Sequence, residues 1–131
     1  FAIARDILDS GRALEKMNAI IDAQGRKPFN HEELALAHFV YEVKAEKAGC
    51  VVGIDNLQIA RIARIAGAPK VPGAGVDLVH KLGQQVQQGE VLYRVYAEHH
   101  SDLIFAIQQC QKSSGYALGE ASELPHGFVE F

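Results

Sequence analysis

The chain has few of the features that mark membrane or nucleic-acid-binding proteins. No run of about 18 apolar residues occurs, so the sequence contains no candidate membrane span. Its 13 lysines and arginines are outnumbered by 16 aspartates and glutamates and are dispersed along the chain. Because sequence-independent binding to nucleic acid requires many cations against the phosphates, we expect no nucleic-acid partner and no membrane partner.

Cysteine is also scarce. Cys50 and Cys110 are far apart, and no Cys-x-x-Cys pair occurs. This usage fits a reducing compartment in which free cysteines serve as small core residues, so we expect a cytoplasmic protein. Nothing at the start resembles a secretory signal. The chain begins at Phe1 inside an amphipathic pattern, which predicts a piece of a longer protein.

The histidines do not form a recognisable metal site. His99 and His100 are adjacent, so on a strand their side chains would point to opposite faces. His31 and His38 are seven positions apart, too far on a helix for one tetrahedral site, and no His-Glu-x-x-His occurs. We therefore predict no metal ligands and no cofactor.

No catalytic constellation is apparent either. Gly73-Ala74-Gly75 precedes a predicted strand rather than a helix, which favours a turn over a phosphate cradle. Ser10 and Ser101 are predicted helix caps, Ser113–Ser114 lie in a glycine-bounded loop, and no Gly-x-Ser-x-Gly is present. The spacing of Asp and Glu does not require an acid/base pair. We assign no catalytic and no cofactor-binding residue.

The most informative stretch is Pro72–Tyr96, which reads PGAGVDLVHKLGQQVQQGEVLYRVY. Two strand-like runs, Val76–His80 and Val91–Tyr96, lie on either side of Gly83 and Gly89. Alternating apolar and polar residues on both sides of glycine predict tightly turned strands with one buried face. The same spacing occurs in small half-barrel carrier and scaffold modules.

Helical and strand patterns surround this hairpin. Apolar periodicity, caps and glycine stops predict helices over Ala2–Leu8, Arg12–Ala23, Asn30 to about Ala37, Asp55–Gly67 and Ser101–Gln111. Strands are predicted at Phe39–Lys44, Cys50–Ile54, Tyr116–Leu118 and Phe128–Phe131. In the last helix the predicted inward residues are Leu103, Ile104, Ile107 and Cys110. The mixture indicates an α+β protein.

Several segments, taken in order, resemble the C-terminal portion of thymidine (pyrimidine-nucleoside) phosphorylases. They are Ser10–Lys16 (SGRALEK), Ile20–Gly25 (IIDAQG), Val52–Asn56 (VGIDN), Ala66–Pro69 (AGAP), Gly73–Leu78 (GAGVDL) and Lys81–Tyr93 (KLGxxVxxGxxLY). The region around Val40–Gly83 is closer to the longer branch that includes AMP phosphorylase-like members. Arg26 departs from the pattern, because many relatives have a second glycine there.

The resemblance implies a fold and a role. Residues 28–131 would form a C-terminal α/β-hammerhead or barrel-sandwich-like domain, preceded by a helical segment, 1–27, from the adjoining lobe. The parent enzyme would convert thymidine and phosphate into thymine and 2-deoxyribose 1-phosphate, and would be a homo-oligomer. The substrate contacts of the family lie in earlier segments, so this domain would support the phosphate-binding lobe and be inactive alone.

A second resemblance points to a different class of protein. Aligning Gly89-x-x-Leu92-x-x-Val95 with biotinyl and lipoyl carrier domains puts His99 at the position of the modified lysine. An imidazole cannot form the required amide with biotin or lipoate. The alternative is therefore a carrier-like module without the modifiable lysine, acting as a non-catalytic binding or assembly domain.

Overall fold

The computed structural model describes residues 2–27 and 35–123. Within these residues the chain has four α-helices, a short 3₁₀-helix at Ala121–Glu123 and two three-stranded antiparallel sheets. The predicted mixed α+β class is confirmed. The chain divides into two compact units, Phe1–Leu34 and Ala35–Phe131. None of the described helices has both the length and the apolar character needed to cross a bilayer.

The first unit contains two helices, α1 (Ala2–Asp9) and α2 (Arg12–Ala23), close to their predicted positions. Neither helix buries a single residue. Their large apolar side chains are exposed: Ile3, Ile7, Leu8, Leu14, Met17, Ile20 and Ile21. Amphipathic helices are normally stabilised by packing of their apolar face, so these two faces lack that stabilisation within the described residues.

The turn between these helices differs from the prediction. Gly11, with φ of 77°, occupies the N-cap position of α2, and no side chain caps the helix. The prediction that Ser10 is the cap is wrong, because the left-handed residue that the turn requires comes one position later. The Ser10 hydroxyl instead accepts a hydrogen bond from Arg12 Nε at 3.0 Å. At the other end of α2, Gly25 has a φ of 83°, as the predicted left-handed stop requires.

The second unit is built on two sheets. One has the strand order β1 (Phe39–Lys44), β5 (Val91–Ala97), β3 (Gly75–Leu78). The other has the order β4 (Gln85–Val86), β2 (Gly49–Ile54), β6 (Tyr116–Gly119). β5 is central to the first sheet and carries four of the buried core residues, which is why its sequence is so strongly apolar.

The predicted hairpin is present and spans both sheets. β3 pairs antiparallel with β5, from Gly75 opposite Tyr96 to Leu78 opposite Tyr93. The connection between them includes β4, which pairs with β2 in the other sheet. Sequence alternation identifies the two long strands but not this two-residue strand, whose partner lies far away in the chain.

Two helices cover the sheets. α3 (Asn56–Ala66) begins after Asp55, whose carboxylate accepts hydrogen bonds from the Leu57 and Gln58 amides at 3.0 and 3.1 Å. It ends at Gly67, so both predicted signals are confirmed. α4 (His100–Lys112) packs on β1, β5 and α3. His99, rather than Ser101, is its N-cap residue, so that predicted cap is wrong.

The core lies between the sheets and these helices. Its buried members are Val43, Ala45, Val51, Ile62, Ala66, Val86, Leu92, Tyr93, Val95, Ala97, Leu103, Ala106 and Cys110. On α4 the core residues Leu103 and Cys110 are as predicted, and Ile107 packs against the core from its edge. Ile104 is 42% exposed, so its predicted inward position is wrong, and Ala106 faces the core in its place.

Two predicted elements lie partly or wholly outside the described residues. The helix predicted from Asn30 to about Ala37 begins outside the described residues. Its predicted end, Ala35–Ala37, is described and is not helical. The strand predicted at Phe128–Phe131 also lies outside the described residues.

Candidate functional site

The described histidines are His38, His80, His99 and His100. His99 and His100 are both exposed at the start of α4, and the His100 ring makes an edge contact with Phe39, with centroids 5.5 Å apart. His80 Nδ1 lies 2.7 Å from the Val91 carbonyl oxygen, and His38 Nδ1 lies 3.5 Å from Glu98. In residues 2–27 and 35–123, no three His, Cys, Asp or Glu side chains converge as metal ligands.

The glycine-rich turn at Gly73–Gly75 is filled by protein. The Ala37 amide donates a hydrogen bond to the Gly73 carbonyl at 3.1 Å. A Cβ on Gly73 would lie 2.3 Å from the Ala35 carbonyl oxygen. This close approach of two backbone segments explains the glycine, and a strand follows the turn. The geometry is that of a packed turn and not of an open ring of amides around an anion.

Ser113 and Ser114 form a turn that anchors the core. The Ser113 carbonyl accepts from Gln58 Nε2 at 2.9 Å, and the Ser114 carbonyl accepts from the Tyr93 hydroxyl at 2.8 Å. The Ser113 hydroxyl accepts from the Gly115 amide at 3.3 Å. These contacts give the two serines a structural role, with no base placed to activate either hydroxyl among them.

One concave feature of the second unit is a cleft between the two sheets. It opens between β1 and β6, each an edge strand of its sheet, and has a volume of about 560 Å³. The apolar wall carries Tyr41, Val43, Leu92, Tyr116 and Leu118. The C-terminal end of α4 closes one side with Cys110, Gln111 and Lys112, followed by Ser113 and Ser114.

The rim of this cleft is predominantly cationic. Lys44 and Lys47 flank it from the end of β1 and the turn after it, and Lys112 from the last turn of α4. Glu46 is the single acidic residue in the described lining. Three lysines against one glutamate give the lining a formal net charge of +2, although Lys44 also lies 3.8 Å from Glu42 outside it. Sequence reasoning missed this cluster because its members are separated by up to 68 positions (44 to 112) and share no motif.

Cys110, which lines the cleft, and its hydrogen-bond partner Tyr93, which lies behind it in the core, are held in their neutral forms. Burial, followed by the hydrogen bond with Cys110, raises the pKa of Tyr93 well above its ordinary value. Burial likewise raises the pKa of the Cys110 thiol, which lies 3.6 Å from the Tyr93 hydroxyl. A protonated thiol is a poor nucleophile, so this end of the cleft suits binding rather than covalent chemistry.

Comparison with known proteins places the chain in a family. Residues 50–117 match the model described as "Pyrimidine nucleoside phosphorylase C-terminal domain". This match runs from the second residue of β2 into β6 and includes both helices of the second unit, α3 and α4.

Curated relatives agree with that match. A protein of Albidiferax ferrireducens named "Putative thymidine phosphorylase" is 65% identical over the whole chain, which spans 25% of that relative. Another of the same name from Methylococcus capsulatus is 53% identical over the whole chain and is also matched over 25% of its length. An "AMP phosphorylase" of Thermococcus kodakarensis is 44% identical over 80% of the chain and 21% of its own length.

The chain thus spans about a quarter of the length of these relatives. Four of the six segments that resemble the family lie within residues 50–117, the other two lie in the part that only the curated relatives cover, and the predicted family resemblance is confirmed. This chain belongs to the pyrimidine nucleoside phosphorylase family and corresponds to its C-terminal domain.

Proposed function

We propose that this chain is the C-terminal structural domain of a thymidine phosphorylase-type enzyme. In the complete protein, thymidine and phosphate would be converted into thymine and 2-deoxyribose 1-phosphate. The observation that carries the proposal is the 65% identity, over every residue of the chain, to a protein named "Putative thymidine phosphorylase" of which the chain spans only 25%. The substrate-binding residues would then lie in the other three quarters.

Its role in that enzyme would be to support the phosphate-binding lobe. Within 28–131, which we propose folds as an α/β-hammerhead or barrel-sandwich-like domain, the two sheets are tied together by buried side chains such as Tyr93. A rigid body of this kind can hold a lobe in the orientation needed to close over substrate and exclude water. Catalytic residues are not required for such a role, and we assign none here.

The helical segment, 1–27, would belong to the adjoining lobe. Its helices are amphipathic, and apolar residues such as Leu14 and Met17 are 66% and 56% exposed. Exposed apolar faces of this extent are normally covered by another part of the protein or by a partner. The rest of the enzyme would supply that cover. We also propose that the complete protein is a cytoplasmic homo-oligomer. The two buried free thiols, Cys50 and Cys110, are consistent with the reducing environment of the cytoplasm.

The carrier-like alternative is less well supported by the geometry. A swinging cofactor requires a modified residue on a tight turn between strands, whereas β5 runs within three residues into the 13-residue helix α4. His99, at the position of the modified lysine, is the N-cap residue of that helix. The phosphorylase assignment is therefore the one we retain.

The test is a domain exchange in the Albidiferax ferrireducens relative. Its matched quarter is replaced by this chain, and release of thymine from thymidine is measured with and without phosphate. We expect the hybrid to keep kcat/KM within about tenfold of the unmodified enzyme. A form lacking the segment should have a lower kcat and a higher KM, because lobe closure affects both.

Controls separate function from folding. The relative's own segment, rejoined through the same junctions, should be fully active, and the isolated 131-residue chain should show no phosphorolysis. A hybrid that folds and assembles like the parent but releases no thymine would refute the proposal. Phosphorolysis by the isolated chain would refute the supporting role.

A further inference from the structure

We infer that the cleft between β1 and β6 is a binding site for a small organic phosphate, a phosphate monoester on a flat apolar body. Nucleoside monophosphates have this chemistry. The inference stands on the geometry of the cleft and does not rest on the proposed function.

The size of the cleft fits such a ligand. Its volume of about 560 Å³ lies within the roughly 300–1,000 Å³ typical of small-molecule sites. The space exists because β1 and β6 are edge strands of different sheets and do not pair with each other. Side chains on both strands therefore face a gap that a ligand can occupy without breaking a strand pairing.

The wall of the cleft suits a flat apolar body. Tyr41 and Tyr116 present partly exposed aromatic rings, and Leu118 provides partly exposed aliphatic surface beside them, with the buried Val43 and Leu92 beneath. Planar heteroaromatic rings gain free energy from stacking on such side chains. An inorganic anion alone would make no use of this surface.

The rim suits a phosphate dianion. Lys47 and Lys112 have no carboxylate within 4.0 Å among the described residues, whereas Lys44 lies 3.8 Å from Glu42. Lysine ammonium groups bind phosphate as mobile point charges, so their side chains can converge on a ligand. The Ser113 hydroxyl accepts from a backbone amide and retains its own proton to donate.

Two features oppose an anion here, and both are offset. Glu46 is a negative charge on the rim, but it is opposed by Lys47 and Lys112 even when Lys44 is counted with Glu42. The C-terminal end of α4 carries a partial negative charge of about half a unit, which leaves the rim with a small positive excess. The balance favours a ligand with two negative charges and an apolar body over a neutral one.

Binding is tested on the 131-residue chain by amide chemical-shift titration with thymidine 5′-monophosphate, thymidine and inorganic phosphate. We expect the nucleotide to bind with a Kd below about 1 mM and to shift amides of β1, β6 and the end of α4. Thymidine and phosphate should each bind at least about tenfold more weakly, because each lacks one half of the recognised chemistry. Raising the salt concentration should weaken nucleotide binding.

Charge variants provide the decisive comparison. Lys47→Gln, in an exposed turn, should weaken nucleotide binding about three- to tenfold, whereas Glu46→Gln should tighten it. Lys70→Gln is the matched control, because Lys70 is exposed and lies outside the cleft lining, and it should leave binding unchanged. Thermal unfolding of each variant checks that the fold is retained.

Three results would overturn the inference. The first is the absence of shifts in the cleft at millimolar nucleotide. The second is that Lys47→Gln and Lys70→Gln change nucleotide binding equally. The third is that inorganic phosphate binds as tightly as the nucleotide.

Cys110 supplies an independent readout, since it lines the cleft and is 7% exposed. Its slow alkylation should become slower still when nucleotide is bound, and an unchanged rate would contradict the proposed position of the ligand.

Discussion

The ring of Tyr93 on β5 stacks on the ring of Tyr116 on β6, with centroids 5.4 Å apart and an interplanar angle of 26°. These strands belong to different sheets, so the pair joins the two halves of the core. Each hydroxyl also donates to a backbone carbonyl: Tyr93 to Ser114 at 2.8 Å and Tyr116 to His80 at 2.6 Å. The pair therefore sets the spacing between the sheets and also fixes two loops.

Removing one of these hydroxyls should lower stability without leaving a large cavity in the core. We expect Tyr93→Phe to lower the free energy of unfolding by about 1–2 kcal/mol, because the Ser114 carbonyl loses its donor while the ring remains. Urea unfolding followed by circular dichroism measures the change. Tyr96→Phe, on a half-buried ring of the same strand, should cost less than about 0.5 kcal/mol. Equal losses in the two variants would contradict the importance of the Tyr93 hydrogen bond.

A second test concerns Gln58, a buried polar residue that is 5% exposed. Its Nε2 donates to the carbonyls of Ser113 and Gln109, which ties the start of α3 to the end of α4. Gln58→Leu keeps the approximate volume but leaves the Ser113 carbonyl without this donor. We expect a loss of about 1–3 kcal/mol in the free energy of unfolding.

The neighbouring position provides the control for that test. Leu57→Ala changes a side chain in the same helical turn that is 78% exposed, and it should cost less than about 0.5 kcal/mol. If Gln58→Leu is as mild as Leu57→Ala, then the link between the helices is not a significant source of stability.

The elements that were predictable from sequence are those whose signals are local. Asp55 and Gly67 bound α3 because a carboxylate cap and a left-handed glycine act within one helical turn. β5 was predictable because its largely apolar run extends over seven residues and follows a glycine turn. β4, Gln85–Val86, was not, because its pairing with β2 depends on a partner more than thirty positions away.

The same limit applies to side-chain orientation and to the cleft. On α4 the apolar positions allow more than one inward face, and the sheet beneath selects Ala106 rather than Ile104. Lys44, Lys47 and Lys112 come together only after β1 and α4 have packed, so no spacing in the chain records their proximity. The family resemblance could be recognised from the sequence because it depends on the order of short segments and not on their contacts.

Substituting Gly73 or Gly89 compares the cost of a left-handed backbone alone with the cost of a steric clash added to it. Gly73 and Gly89 have φ values of 83° and 86°, but only at Gly73 would a Cβ meet other atoms, 2.3 Å from the Ala35 carbonyl oxygen. We expect Gly89→Ala to cost about 1–2 kcal/mol from the left-handed conformation alone. Gly73→Ala should cost several kcal/mol more or prevent folding, because two backbone segments must also separate. Comparable unfolding midpoints for the two variants would show that Ala35–Ala37 does not pack on the turn.

Stability should also fall in strongly alkaline solution because of the tyrosine pair. Burial raises the pKa of Tyr116 from 10.0 to about 12, and burial raises that of Tyr93 further in the same direction. The folded state therefore holds protons that the unfolded state releases, and unfolding becomes more favourable as these protons are lost. The contribution of Tyr116 is complete below pH 10.0 and is lost as the pH rises from there to about 12.

Urea unfolding across this range measures the effect. Titration of these tyrosines should leave the free energy of unfolding nearly constant with pH near neutrality and should make it decline above pH 10.0. Tyr116→Phe should make the decline shallower, because one of the two proton-linked groups is gone while the ring stack is kept. Since Tyr93 still titrates in that variant, the decline should be reduced and not abolished. An unchanged slope in Tyr116→Phe would mean that its hydroxyl is as accessible to water in the folded protein as in the unfolded chain.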